Sequence, residues 1–462
     1  MSLLFGTAWQ TAAEPSDDAW PRTKRIVPWL VAGFIAMLWL IPFNSVQLAM
    51  SLPIDLQLDR LVLPLIFCVW LAAAAVGALH RPWIELTPIH LSLVALVGVA
   101  VASILLNFET LSIGQEFGLA TKKLLLLASY ALFFVLVASV VRPAEVRAFM
   151  HLTVGLACVA AAGTIYEYRT DANLFYEWTA AILPDQFRVA TPSADGKVDA
   201  LGRRLIQGPT QHGLEIATLL AMALPLAMVG LIGASSLRRR ALYGLVVALL
   251  FAGSVSTYRK TAIIAPAAGL VAITLFRPVQ MIKLLPLGAV IVVGVHFLSP
   301  GALGSSAVQL LPERFDSATV AGRTTDYDAV RPDVLNHPAF GRGYGTYDPH
   351  AYRFLDNEYL LRLLETGFVG MAAYLAVILS VLGVSYRWIR RHDPLRGPPA
   401  LAAAGAASAF LVASALFDAM SFPHVPYVFL SIAGLAAACV RRGEPAQVPS
   451  ELRRPAVQES LG

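Results

Sequence analysis

Long apolar runs separated by short polar breaks recur from one end of the chain to the other. A hydrocarbon core about 30 Å thick takes about 20 apolar residues per helical crossing. Runs that meet or approach this length fall at 27–50, 61–79, 89–106, 124–141, 148–166 and 209–232, and again at 241–253, 261–276, 281–298, 359–386, 401–417 and 425–440. Apolar residues are contiguous within each run and do not alternate with polar ones, so the pattern predicts helices and excludes a membrane β-barrel. The expected fold is all-α: a polytopic membrane protein with about 12 transmembrane helices and a long extracytoplasmic loop between spans 9 and 10.

Composition narrows the classes further. With 57% hydrophobic and 14% charged residues and a mean hydropathy of +0.65, the chain is neither an ordinary cytosolic enzyme nor a fibrous or disordered protein. Its net charge of +5 is no nucleic-acid footprint, because the basic residues sort by side of a membrane. With the N-terminus inside, every inside connection is basic: Arg22, Lys24 and Arg25; Arg81; Arg142 and Arg147; Arg238 to Arg240; Arg277 and Lys283; Arg387, Arg390, Arg391 and Arg396; Arg441 and Arg442. The short outside connections hold only Arg60, Lys122, Lys123, Arg259 and Lys260. Both termini are therefore expected in the cytoplasm. The first run is too long for the apolar core of a cleavable signal. The expected layout is a cytoplasmic tail at 1–26, spans 1 to 9 over 27–298 with an outer loop at 167–208, a periplasmic loop at 299–357, spans 10 to 12 over 358–440, and a disordered cytoplasmic tail at 441–462. Cys68, Cys158 and Cys439 lie inside apolar runs and form no disulfide framework.

Candidate chemistry gathers on the outer side. Arg259 and Lys260 interrupt apolar sequence where the positive-inside bias disfavours them, among Ser254, Ser256, Thr257 and Thr261. Such a pair either snorkels to lipid headgroups or binds an anion, for which the arginine supplies a fork and the lysine a point charge. Arg203 and Arg204 precede Gln207-Gly-Pro-Thr-Gln-His212, which reads as a helix start, a second place that suits an anion. The triplet Asp326-Tyr327-Asp328 is the pattern of a weak divalent site, but a hydrated or arginine-paired surface is the better reading and no metal is expected. Gly341, Gly343 and Gly345 lack the strand that a dinucleotide loop needs and read as a tight turn. Glu358, Arg362 and Glu365 share one helix face. They form either a self-neutralised ion pair or, beside an arginine-rich anion site, a setting in which Asp356 or Glu358 takes a proton from a sugar hydroxyl. His90, His151 and His296 lack ligand spacing and read as packing residues; Asp418 and His424 flank an outer connection with a supporting role at most. The chain carries no phosphate-loop motif for ATP.

In their order along the chain, Arg203 to His212, Ser254 to Thr261, and Arg323 through His337-Pro-Ala-Phe-Gly-Arg-Gly343 to Asp356-Asn-Glu-Tyr-Leu360 and Glu365-Thr-Gly367 resemble the O-antigen ligase and O-antigen polymerase superfamily of bacterial membrane glycosyltransferases. The resemblance implies a multi-pass enzyme of the bacterial plasma membrane, active on the periplasmic side, that needs no cofactor. Its donor would be an undecaprenyl-diphosphate-linked oligosaccharide and its acceptor a glycan hydroxyl. A chain-length regulator or export complex would be a partner, and nucleic acid would not. Arg259 and Arg323 would grip the departing diphosphate with Lys260, Arg203 and Arg204, while His212, His337, Asn357 and Glu365 would position substrate. The chain departs from the ligase pattern at Asp356, where ligases carry a histidine. That favours polymerisation of repeats over ligation to lipid A core. A flippase of lipid-linked glycans, which would show internal repeats and discontinuous helices, is the competing class.

Overall fold

The computed structural model describes residues 19–48, 57–77, 84–190, 205–308, 310, 318–349 and 351–441, with the backbone alone over 318–325. Arg203 and Arg204, residues 1–18 and 442–462 of the two tails, and the side chain of Arg323 thus lie outside the described residues. Among the described residues the fold is helical, with one two-stranded sheet. In chain order the helices are α1 (Ile26–Leu40), α2 (Leu58–Ala75), α3 (Pro88–Leu106), α4 (Phe108–Ile113), α5 (Phe117–Val140), α6 (Val146–Thr170), α7 (Leu174–Ile182), α8 (Gly213–Gly233), α9 (Leu237–Val255), α10 (Thr261–Phe276), α11 (Pro278–Lys283), α12 (Leu285–Leu298), α13 (Ala302–Val308), α14 (Ala318–Asn336), α15 (Glu358–Arg390), α16 (Gly397–Leu416) and α17 (His424–Val440).

A helix occupies each apolar run, and seven of those described are long and apolar enough to cross a membrane by themselves: α2, α3, α5, α6, α8, α15 and α16. The count of twelve also needs helices that fall short of that test: α1, α10 and α17 are brief, and α9 opens on three arginines. α12 meets α13 at a 106° bend. Prolines set two of the shortenings. Pro42 forces Ile41 into extended backbone (φ −115°, ψ 129°), which stops α1 ten residues before its apolar run ends. Pro286 sits in the first turn of α12 and separates it from α11.

Both long connections contain structure that their polar composition concealed. In the first, Asn173 caps α7 by accepting from the amides of Phe175 and Tyr176, and strand β2 (Phe187–Val189) pairs antiparallel with β1 (Val46–Leu48), Val46 opposite Val189. In the second, α13 and α14 occupy part of the expected loop.

α8 and α16 are the most enclosed spans and pack on each other and on α10. They meet through small residues: a Cβ on Gly405 would stand 2.6 Å from Pro225 Cβ, and one on Gly269 would stand 3.0 Å from the Gly405 carbonyl. Such close backbone approach is how helices gain packing energy where lipid removes the hydrophobic drive. α15 lies against α3 and α16, α17 against α5. α8, α10, α15 and α17 begin, and α9 and α16 end, at the same end of the bundle as the two long connections.

Candidate active site at the loop end of the bundle

At that end α9 turns into α10 through Tyr258, whose φ of 57° is left-handed. A tyrosine held there costs about 1–3 kcal/mol, which packing around it must offset. The turn is lined by buried Ser254, Ser256, Thr257 and Thr261; the Ser254 hydroxyl donates to the Ala262 carbonyl and the Thr257 hydroxyl to the Ser254 carbonyl. It delivers half-buried Arg259 to the start of α8, with half-buried Lys260 at the start of α10. A Cβ on Gly213 would lie 3.5 Å from Arg259 Nε, so the guanidinium passes directly over the first residue of that helix. His212 is the N-cap, its Nδ1 accepting from the Leu214 amide. Burial and the neighbouring Arg259 push its imidazole down to about 4, so it stays neutral. Gly208, at φ +56°, and Gln207 donate their amides to Glu167 Oε2 at 2.7 and 3.3 Å, which fixes the approach to the cap.

On the other side of this end, α15 is not a continuous helix: it is broken at Gly367 (φ 66°, ψ −166°).

 α15 has 33 residues in all: a short buried helix over 358–366 and, past the break, a stretch over 368–390 that is long enough to cross a hydrocarbon core by itself. The glycine turn after α14 fills the break. The amides of Phe368 and Val369 donate to the carbonyls of Pro338 and Ala339 at 2.8 and 3.2 Å, and those of Arg342 and Gly343 to Leu364 and Glu365, both at 3.1 Å. Glycine is required on both sides of this contact: a Cβ on Gly341 would stand 2.3 Å from the Glu365 carbonyl carbon, and one on Gly367 2.4 Å from Ala339. Ser103 on α3 donates to the carbonyls of Phe340 and Glu365, and Asn107 to that of Gly341, so a third element holds the joint.

The short helix carries the charged face. Arg362 binds Glu358 at 2.7 Å and Glu365 at 2.8 Å, with all three side chains almost fully enclosed, at 5%, 0% and 0% exposure. The Tyr344 ring lies 4.8 Å from the guanidinium carbon. Glu358 also accepts from the Met420 amide and Glu365 from that of Tyr347. Asn357 caps the helix by accepting from Tyr359 and Leu360, and its amide group donates to the Tyr327 hydroxyl. Asp356, one residue earlier, is exposed.

The bond from Met420 ties the α16–α17 connection to this helix, and the same connection reaches the Arg259 corner, because the Phe422 ring lies 5.7 Å from that of His212. Asp418, in the connection, is pushed up to about 7 by burial, with Glu358 and Asp356 as neighbouring negative charges. His424, at the start of α17, bonds Glu215 on α8 through Nδ1 at 2.8 Å, both side chains fully buried.

The sequence-derived candidates divide accordingly. Arg259 meets His212 at the start of α8 and Lys260 stands at the start of α10, Asp356 and Asn357 stand at the start of α15, and Glu358 and Glu365 are enclosed around Arg362. His337 is exposed at the end of α14, and the Arg323 backbone lies within that helix. Asp326 pairs with Arg353 at 3.1 Å. Sequence reasoning assigned no role to Glu116, which binds Arg342 at 3.0 Å, or to Lys123, whose ammonium approaches the Tyr347 carbonyl at 3.4 Å; an out-of-place lysine in an apolar helix was the available signal for the second.

Residues 245–375 match the family model described as O-antigen ligase, a stretch that runs from α9 through the Arg259 turn and the glycine turn to the break in α15. No curated protein matches the chain. The match bears out the resemblance read from the motifs, and with the seven apolar helices it supports a multi-pass membrane protein of the O-antigen ligase and polymerase type.

Proposed function

We propose that the chain is a glycosyltransferase of the bacterial plasma membrane that joins undecaprenyl-diphosphate-linked glycan repeats at the periplasmic face and releases undecaprenyl diphosphate. The observation that carries this reading is the placement of the Arg259 guanidinium over the start of α8, at the bundle end where exposed Asp356 also stands. A helix start and an arginine fork together favour a diphosphate. Cations set in advance stabilise the charge that develops as the sugar–phosphate bond breaks.

In this reading Arg259 and Lys260 hold the diphosphate, and Arg323, Arg203 and Arg204 add positive charge. Asp356 takes the proton from the acceptor hydroxyl as its oxygen bonds to the anomeric carbon. The electron pair of the breaking bond leaves on the diphosphate, and direct attack inverts the centre. Glu358 and Glu365, neutralised by Arg362, keep the short helix and its Asn357 cap in position, while His212 and His337 serve substrate placement. The second reading, transfer of a finished glycan to lipid A core, is favoured by the description of the matching family. Asp356 at the place of the ligase histidine favours polymerisation.

The test is reconstitution of the purified protein with its host's lipid-linked repeat. A ladder of multiples with release of undecaprenyl diphosphate is the expected result. Transfer of one intact chain to an added acceptor lipid would establish the ligase. Movement of the repeat across the bilayer with no diphosphate released would overturn both readings in favour of a flippase.

A further inference from the structure

Segment 352–357, which leads into α15, alternates in exposure: Tyr352, Phe354 and Asp356 face outward while Leu355 is buried in a cluster with Val330, Val334 and Tyr347. Alternate residues of extended chain stand about 7 Å apart on one side. Two aromatic rings, 47% and 68% exposed, thus lead along one face to the carboxylate. A third, Tyr327 on α14, is 52% exposed and tied to Asn357 through its hydroxyl.

The row is built. Tyr352 stacks on Tyr347 with ring centroids 5.0 Å apart, lies under the Arg342 guanidinium, and donates its hydroxyl to Glu116. Charged side chains border it: Arg353 paired with Asp326, and Arg342 paired with Glu116. Such a border is costly to sink into hydrocarbon, which argues against a membrane anchor. Aromatic faces edged by planar ionic groups suit a ligand that is apolar on its ring faces and rich in hydroxyls at its rim, the chemistry of a pyranose.

We infer that Tyr352, Phe354 and Tyr327 form a saccharide-binding row that seats the acceptor glycan and presents its terminal hydroxyl to Asp356. This inference rests on the proposed transferase reading and names the acceptor contact of the same site. The row fixes where the acceptor lies, leaving the lipid-linked donor to the Arg259 corner.

The experiment measures binding without turnover. The probe is the set of lipid-free oligosaccharides released by partial acid hydrolysis of the host's surface polysaccharide, titrated onto the full chain in nanodiscs with no donor present. Phe354→Ala is expected to weaken binding at least about fivefold, Phe354→Trp to retain it, and Trp178→Ala, an exposed aromatic on α7, to leave it unchanged. Equal affinity in wild type and Phe354→Ala, or equal loss in Trp178→Ala, would overturn the inference. So would a Phe354→Ala protein that binds saccharide normally but is retained less well in the bilayer, because the row would then be an anchor. A chain that binds the probe through the row yet releases no undecaprenyl diphosphate from the donor would contradict the transferase reading and leave the saccharide row standing.

Discussion

Asp356 and Glu358 are two residues apart, both acidic and both at the start of α15, yet their surroundings are opposite. Asp356 faces outward beside exposed aromatic rings; Glu358 is fully enclosed, held by Arg362 and the Met420 amide. A buried ion pair serves position more than reactivity, since removing either charge leaves the other stranded. A base has to reach its substrate. Chain direction at a helix cap, invisible in residue type, divides the two roles.

The comparison breaks first at Arg362. Replacing it with Met strands two buried carboxylates, and a loss of about 3–5 kcal/mol is expected. Thermal melting in detergent checks it, and a variant that melts like wild type would mean that the cluster does not hold the short helix. Next comes the joint. Gly367→Ala puts a Cβ against Ala339 in left-handed backbone, with an expected loss of about 1–3 kcal/mol from the backbone alone; limited proteolysis between α14 and α15 would report the released turn.

Arg259→Lys sharpens the other side of the comparison, because it keeps the charge and loses the fork. An expected fall of roughly 10- to 100-fold in kcat/KM for the lipid-linked donor, with unchanged melting, would support phosphate binding. Retained activity would return Arg259 to a lipid-headgroup contact. The smallest effect concerns Asp418. Its folded value near 7 lies above the ordinary 3.8, so its neutral form favours the fold. That stability is fully present below the ordinary value and is lost as pH rises through about 7. Asp418→Asn is expected to flatten the fall in melting temperature between about pH 4 and 7. An unchanged slope would show that Asp418 is ionised throughout.

Much of this arrangement was legible in residue order. Contiguous apolar runs marked the helices, and Arg259 and Lys260 stood out as charges on the disfavoured side. The i, i+4 spacing of Glu358 and Arg362 raised the ion pair that the structure shows. What stayed hidden depended on contacts distant in sequence. Gly341 and Gly367 explain each other only once the turn docks into the helix break. Glu116 meets Arg342 across 226 positions, and α14 formed in a stretch with little apolar periodicity. Asp418 carries no motif; its perturbation arises from burial and from acids brought to it by folding.

The most direct test sets the two carboxylates against each other in one reconstituted assay, with turnover of the lipid-linked repeat and melting temperature measured for Asp356→Asn and Glu358→Gln. The expected result is a loss of roughly 100- to 10,000-fold in kcat for Asp356→Asn with wild-type melting, and lowered stability for Glu358→Gln with turnover retained by the folded fraction. Wild-type turnover in Asp356→Asn, with activity abolished in a fully folded Glu358→Gln, would contradict the assignment and move the base into the buried cluster.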